Sequence, residues 1–554
     1  MTETTVAQGI EAGVEATSVA PSDIAARARI AAWWTWLGVA GVTIAAGSFL
    51  IHQLMAWPPH EDETLALLVG RDSLSGVIEH VTRDRGGAPL HFLLAWAVAH
   101  LGFGLGALRL LSAVFALASL PLVALLSARL AGRRVALVAT TLVAPSWMFL
   151  FHGVYGRMYS AFLFFSLACT LALLEAIRHG GRLRWAAWVV TALLLVATHP
   201  YGILLLAGQG VYVLAVGRDR LREAITAGAA VLVLGIPFWL TDLVLADRFE
   251  VGVGGGGEKL GGPAAVARYL WRSAGDATAG WWPVTLVVVL AAVWGLVLMR
   301  GTTRALVLST IGVTAFAFVV AKLGGSASPE SRHLIYLAPF LAIAVATAIV
   351  RLGRRAPAVA VAAVVALVAA EIAWASHRTP PLFNWEPDAR QAARAEAETW
   401  LATTSRSDDV LFGYEPLYLG AWERNRDFPT TVVPRADMRL ALRTIERAHS
   451  LGRAVWVFDA SERNNIRRKL EIKRRLPTPA AAYQAQVFGP FLVLRTIEPV
   501  ITADAFFYYS ARAMLVGQSL GIGDADINMR TVILAARELR GYGPSLRSRS
   551  SNSR

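Results

Sequence analysis

The stretch Ala88-Pro89-Leu90-His91-Phe92-Leu93-Leu94-Ala95-Trp96-Ala97-Val98-Ala99-His100-Leu101 decides how the rest of the chain is threaded. It is apolar, but it is only fourteen residues long and carries two histidines. That length fits an interfacial segment rather than a span, which needs about 20 residues. Set aside as interfacial, it leaves eleven long apolar runs, near 33–56, 107–130, 135–151, 158–177, 184–198, 202–216, 224–245, 282–299, 305–322, 333–350 and 357–376.

Charge supports that choice. With the N-terminus inside, five short loops on the inner side hold Arg133 and Arg134; Arg178, Arg182 and Arg184; Arg218, Arg220 and Arg222; Arg300 and Arg304; and Arg351, Arg354 and Arg355. Counting 88–101 as a span would export all thirteen, against the positive-inside rule. The expectation is a polytopic α-helical protein of the plasma (inner) membrane with about eleven transmembrane helices. Its N-terminus is cytoplasmic and its C-terminus lies outside.

Composition agrees. The chain has 554 residues, is 55% hydrophobic and has a mean hydropathy of +0.49, which is not the composition of a typical soluble globular domain. A net charge of +14 would suit a nucleic-acid partner, but the arginines sit in short loops between apolar runs and concern topology. We therefore expect no nucleic acid. Cys169 is the one cysteine and lies in an apolar run, so there is no disulfide framework and no thiolate metal site. Residues 1–32 lack a secretory cleavage pattern and read as a disordered cytoplasmic tail, and the run Ala31–Trp57 as an uncleaved signal anchor.

This threading puts the loop 57–106, the turns Gly153–Arg157, Thr198–Gly202 and Gly324–Arg332, and the loop 246–281 on the outer face. In the first loop Leu65, Leu68 and Val69 share one helical face. Leu74, Val77, Ile78 and Val81 follow Ser73, an N-cap residue. These short charged helices are expected on the membrane surface. The glycine run Gly254–Gly257 is read either as a lid or as a connector.

From His377 the composition becomes soluble. Val410–Gly413, Thr431–Val433, Ala454–Asp459 and Val487–Leu494 read as strands, and Arg390–Thr403, Met438–Ser450 and Asn464–Arg475 as helices. Their alternation predicts an extracytoplasmic α/β domain over 377–540 with a partly parallel sheet. A helical stretch, Ala503–Leu539, belongs to it, and a disordered tail, 541–554, follows.

The chemistry centres on Trp57-Pro58-Pro59-His60-Glu61-Asp62-Glu63-Thr64, where three carboxylates stand at a membrane boundary. Charges there are costly unless solvated or used. Asp62 and Glu63 point about 100° apart on a helix, so one can act as base while the other binds a second group or positions the helix. The plain alternative is an acidic helix start that suits the dipole. Arg109, Arg157 and Arg332 lie on the same face, each able to hold a phosphate or to snorkel to headgroups. His199, in Thr198-His199-Pro200-Tyr201, joins them. Cations beside a carboxylate suit transfer of a group from a lipid-linked phosphate to a hydroxyl. The cluster His60–Glu63 also leaves a divalent cation possible.

These residues resemble the GT-C class of polyprenyl-phosphate-sugar-dependent glycosyltransferases, in particular the branch of protein O-mannosyltransferases and lipid A aminoarabinose transferases. The resemblance covers about residues 33–350. Asp62-Glu63 matches that family's Asp-Glu pair, and Gly87-Ala88-Pro89-Leu90-His91-Phe92 its Pro-Pro-Leu-aromatic segment. Arg109-Leu110-Leu111-Ser112-Ala113, Arg157-Met158-Tyr159, Thr198-His199-Pro200-Tyr201 and Arg332-His333 with Pro339 follow in the family's order. Ala88, Leu111 and His333 depart from it, standing where proline, proline and tyrosine are usual.

The resemblance implies Asp62 as catalytic base with Glu63 beside it, and Arg109 and Arg332 as phosphate ligands. It implies further substrate contacts at Arg157, Tyr159, His199 and His91. The implied activity is an inverting glycosyltransferase that moves a sugar from a polyprenyl-phosphate donor to a glycan, lipid or protein acceptor of the cell envelope. A transporter or flippase, and a non-catalytic envelope protein that binds a partner through its C-terminal domain, are the alternatives.

Overall fold

The computed structural model describes residues 21–250, 263–321, 330–379, 388–434, 438–448, 451–459 and 483–500, with 502, 505–506, 508–510 and 512–513 beyond. Gly254–Gly257, Asn464–Arg475, most of Ala503–Leu539 and the tail 541–554 lie outside the described residues.

Helix α1 (Pro21–Gln53) stops short of Pro58 and Pro59, which cannot continue it. Next come α2 (Glu61–Gly70), α3 (Leu74–Glu79), a wide π-helical turn at His80–Arg85, and α4 (Pro89–His100). Ser73 caps α3 as expected, its Oγ accepting from Gly76 N at 3.1 Å. Helix α4 has 12 residues. It rises about 18 Å, too little for a hydrocarbon core of about 30 Å.

The surface position expected for these helices fails for α2. Every residue from Glu63 to Gly70 is buried. The backbones of α2 and α4 touch at Gly70, where a Cβ would meet Ala95 C at 2.7 Å. Helix α3 keeps Leu74 and Ile78 exposed around a buried Val77.

The apolar runs continue as α5 (Leu105–Ala131), α6 (Arg133–Val143), α7 (Trp147–Val154), α8 (Tyr159–His179), α9 (Arg182–Thr198) and α10 (Gly202–Val216). Then follow α11 (Leu221–Leu234), α12 (Ile236–Glu250), α13 (Pro263–Asp276), α14 (Trp282–Leu298) and α15 (Gly301–Ala321). A tight helical turn, Ser331–Leu337, leads into α16 (Ala338–Gly353), and α17 (Pro357–Arg378) closes the series.

Each of the eleven expected runs is helical. Among the described residues, six helices are long and apolar enough to cross a membrane, or eight if the bent pairs α6–α7 (62°) and α11–α12 (60°) each count as one crossing. Pro145 and Gly235-Ile236-Pro237 explain the bends. Helices α9, α10 and α14, at 17, 15 and 17 residues, are shorter. Among the described residues, length and composition thus carry six to eight of the eleven crossings expected. One continuous core, including Leu50, Leu120, Phe162 and Ile343, joins α1, α5, α8 and α16.

Beyond α17 lie α18 (Asp388–Thr404), β1 (Val410–Phe412), α19 (Pro416–Arg424), β2 (Val432–Val433), α20 (Met438–Arg447), β3 (Ala454–Asp459), β4 (Tyr483–Phe488) and β5 (Phe491–Thr496). The sheet order is β2-β1-β3-β5-β4. β1 pairs parallel with β2 and β3, while β5 runs antiparallel to both β3 and β4. The single strand expected at Val487–Leu494 is a hairpin that turns at Gly489, whose φ of 52° suits glycine. Helix α19 was not anticipated. Leu417 to Trp422 are all buried, so no polar face marks the helical period.

The domain docks on the helices of the 57–106 loop. Leu65, Leu68 and Phe92 share one apolar cluster with Leu401, Leu419, Trp422 and Val457. Arg71 donates to Phe428 O at 2.5 Å, Glu423 Oε1 accepts from Leu105 N at 2.8 Å, and Arg447 pairs with Asp84 at 2.8 Å. The sheet domain and the acidic loop therefore lie on one side of the helical body.

Candidate active site

The site is built on the first turn of α2. His60 is its extended N-cap residue, and its Nδ1 accepts from Asp62 N at 3.3 Å. The next two side chains diverge as helix geometry requires. Glu63 turns inward and is fully buried. Its Oε1 accepts from Arg109 Nε (2.8 Å) and Gly156 N (2.7 Å), and its Oε2 from Arg109 Nη2 (2.7 Å) and His60 N (3.0 Å).

Arg109 is 1% exposed, and its remaining donors reach Leu54 O and Trp57 O (both 2.7 Å) and Pro58 O (2.8 Å). All five N–H groups are spent inside the protein. This corrects the expectation of a phosphate ligand at Arg109, because no donor remains to face a substrate. The pair instead locks the unwound end of α1, the start of α2 and the opening of α5 together.

Asp62 turns the other way and keeps 24% of its side chain exposed. Tyr155 Oη donates to its Oδ2 at 2.9 Å and lies 2.8 Å from His60 Nδ1. Arg332 Nη1 approaches the same oxygen at 3.3 Å. Arg157 donates to the Asp62 carbonyl at 3.3 Å and stands 3.8 Å from its Oδ1. Burial pushes the carboxyl pKa up, but Arg157, Arg332 and His60 together with the Tyr155 hydrogen bond outweigh it. Asp62 is held well below the usual carboxylate range. Burial and the Asp62 charge push the Tyr155 phenol well above its ordinary value.

Local structure explains these positions. Ser146 caps α7 through Phe149 N, and Tyr155 ends that helix. A tight turn, Arg157 N to Tyr155 O at 2.6 Å, then aims Arg157 back at α2. Arg332 lies 5.3 Å over the Tyr159 ring and pairs with Glu330. Two side chains of α13 hold the backbone beside it. Tyr269 Oη donates to Glu330 O at 3.2 Å, and Asp276 Oδ2 accepts from Ser331 Oγ at 2.5 Å.

His91, 5% exposed, lies on the first turn of α4. Gly86 (φ 69°), Gly87 (φ 65°) and Ala88 (φ 48°) form a left-handed run that sets the angle of that turn. Ala88 does so without the freedom of glycine. His91 lines an apolar cleft of about 320 Å³, counting its open mouth, with Leu94, Leu108, Leu111, Phe115 and Arg157. Burial and Arg157 bring its pKa down to about 3. His91 Nε2 and Arg157 Nε are buried without hydrogen-bond partners. His199 stacks on Phe162 at 4.7 Å and accepts from Tyr201 N at 3.1 Å. Burial, then Arg157 and Arg332, lower its pKa to about 3, so the ring is neutral.

Asp62, Arg157, Arg332 and Tyr159 therefore share one centre. His199 adjoins it through Tyr159, at 5.8 Å, and His91 through Arg157. Glu63 and Arg109 lie behind it as a closed pair. Sequence reasoning missed the Tyr155 hydroxyl, although Tyr155 stands two residues before Arg157 in a motif already singled out. It also missed His152 and Asp276, which carry no motif. Among the described residues no three His, Cys, Asp or Glu side chains are placed to hold a metal. Of the cluster considered for one, His60 serves as a helix cap and Glu63 as the partner of Arg109.

No protein-family model matches the sequence, and no curated protein matches it. Solved structures do. ArnT from Cupriavidus metallidurans in the apo state superposes with a TM-score of 0.57 at 16% identity, covering 84% of this chain and 98% of that one. ArnT bound to undecaprenyl phosphate gives 0.56 at 15% identity over 83% and 98%. The Archaeoglobus fulgidus oligosaccharyltransferase in complex with Zn and sulfate gives 0.48 at 13% over 75% and 67%. With six to eight possible bilayer crossings among the described residues and a backbone that follows ArnT over nearly its whole length, the chain is a membrane protein of GT-C-like fold.

Proposed function

We propose that the protein is an inverting glycosyltransferase that uses a polyprenyl-phosphate sugar. The observation that carries this reading is Asp62, braced by Tyr155 and facing two guanidiniums, with Arg157 lining an apolar cleft between α4, α5 and α8. The likeness to an ArnT that binds undecaprenyl phosphate supports it. Arg157 and Arg332 take the donor phosphate, and the cleft takes the start of the lipid chain. Asp62 accepts the proton of an acceptor hydroxyl as its oxygen attacks the anomeric carbon from the face opposite the phosphate. The bond to phosphate breaks, and its electron pair leaves on an oxygen held by the arginines.

Competition for the two guanidiniums links these steps. Once the phosphate engages Arg157 and Arg332, their pull on Asp62 weakens and the carboxylate becomes a stronger base. The acceptor is a glycan or lipid of the cell envelope, with a protein as the second choice. The chain crosses the plasma membrane eleven times, its N-terminus cytoplasmic and its sheet domain outside, because the thirteen loop arginines then stay inside.

Reconstitution of Asp62→Asn with radiolabelled donor tests the reading. Transfer is expected to fall about 10²-fold or more while donor binding persists. Transfer at the parental rate would remove Asp62 as the base.

A further inference from the structure

Helix α13 faces two ways. On its inner side Tyr269, Ser273 and Asp276 are buried, and Tyr269 and Asp276 hold the backbone at Glu330 and Ser331 beside Arg332. On its other side Ala264, Arg268, Trp271 and Arg272 are exposed. At about 100° per residue these four side chains fall within an arc of about 100° on the helix surface. Among the described residues neither Arg268 nor Arg272 makes a hydrogen bond or an ion pair. The one carboxylate of α13, Asp276, belongs to the inner side and is taken by Ser331, so nothing on the helix offsets the two positive charges.

The level of this face follows from its neighbour. Helix α14 begins at Trp282, a few residues after α13 ends at Asp276, and the two helices touch. The exposed side of α14 carries Leu286, Val287, Leu290 and Val293, which belong against hydrocarbon. Trp281 and Trp282, 38% and 69% exposed, open that helix as boundary tryptophans do. The exposed face of α13 therefore continues the lipid-facing side of α14 upward, into the layer of the headgroups.

Two arginines flanking a tryptophan suit that layer. Each guanidinium is a rigid, always-charged fork that matches phosphate oxygens, and the indole packs beside it among the headgroups. A zwitterionic headgroup brings its own ammonium, which competes for the phosphate and repels the arginines. A headgroup of net negative charge does neither.

We propose that the Arg268–Trp271–Arg272 face of α13 docks an anionic phospholipid of the leaflet on which Arg332 and Asp62 open. The site is separate from the one that holds Asp62, and it does not depend on the sugar-transfer reading. Its occupant fixes the outer side of a helix whose inner side supports the backbone beside Arg332.

The test uses the full-length protein in nanodiscs, in a Cys169→Ala background. Ala264→Cys, on the exposed face, carries a small fluorophore; Leu290→Cys, on the exposed side of α14, carries it as a control. Nitroxide-labelled phosphatidylglycerol or phosphatidylcholine is then titrated in as quencher. At position 264 the association constant is expected to be about fivefold or more higher for phosphatidylglycerol, the weight of one or both arginines beside an anionic surface. Arg268→Gln with Arg272→Gln should remove that preference. At position 290 the two lipids should quench alike in both proteins, which reports an intact, inserted fold. Equal quenching by the two lipids at position 264 of the parent overturns the proposal. So does a preference that survives the paired Gln substitutions, or a label at 264 that neither lipid reaches.

Discussion

Arg109→Met separates a structural arginine from a phosphate-binding one. The guanidinium is 1% exposed, and its loss strips two hydrogen bonds from the buried Glu63 carboxylate. It also orphans the carbonyls of Leu54, Trp57 and Pro58. Removing one partner of a buried ion pair costs about 3–5 kcal/mol, because the other charge stays buried and uncompensated. At about 2–4 °C per kcal/mol for a domain of moderate size, melting should fall by on the order of 10 °C. Scanning fluorimetry in detergent or nanodiscs reads that loss. The double variant Glu63→Gln with Arg109→Met should recover part of it, since the uncompensated charge is then gone. Donor affinity, measured well below the melting transition, should change little. A variant that melts like the parent but binds donor tenfold more weakly would show that Arg109 reaches the phosphate, and the closed-pair argument would be wrong.

Two further outcomes are expected. Because the folded Asp62 carboxyl titrates below the usual carboxylate range, it should place no acid limb in the kcat/KM profile above that range. In Arg157→Gln, burial is less opposed and the limb should move upward in pH; a profile with an unmoved limb would mean that Arg157 does not act on Asp62. Asp276→Ala should weaken donor binding about fivefold to tenfold with kcat nearly unchanged, because it frees Ser331 beside Arg332. Asp276→Asn, which keeps an acceptor, should restore binding, and parental donor affinity in the Ala variant would reduce Asp276 to a structural residue.

The parts of the fold that the sequence made legible depend on local length and charge. A 12-residue α4 cannot cross a bilayer whatever packs on it, and the split between Asp62 and Glu63 follows from 100° per residue. The parts that stayed hidden depend on distant partners. The charge of α2 pointed to a surface, yet its cover comes from α19, more than 300 residues away. Arg109 looked like any boundary arginine because three of its acceptors are carbonyls at the unwound end of α1, where identity leaves no mark. His152 sits in an apolar helix with no motif around it. The hairpin of β4 and β5 was hidden by continuous apolar residues, with Gly489-Pro490 as the signal that was passed over.

The cover over α2 bears on how such chains can be recombined. Leu65, Leu67, Leu68 and Val69 are buried in a cluster that the sheet domain completes, each worth about 1.5–3 kcal/mol when removed from water. A cut after α17, where composition alone would place the seam, opens that cluster and frees the helix that carries Asp62. In a chimera between relatives, the helices of the 57–106 loop would therefore have to travel with the sheet domain, although the rest of the helical body lies between them in sequence. Force or torque applied to that domain is delivered to the carboxylate through α19 and α2.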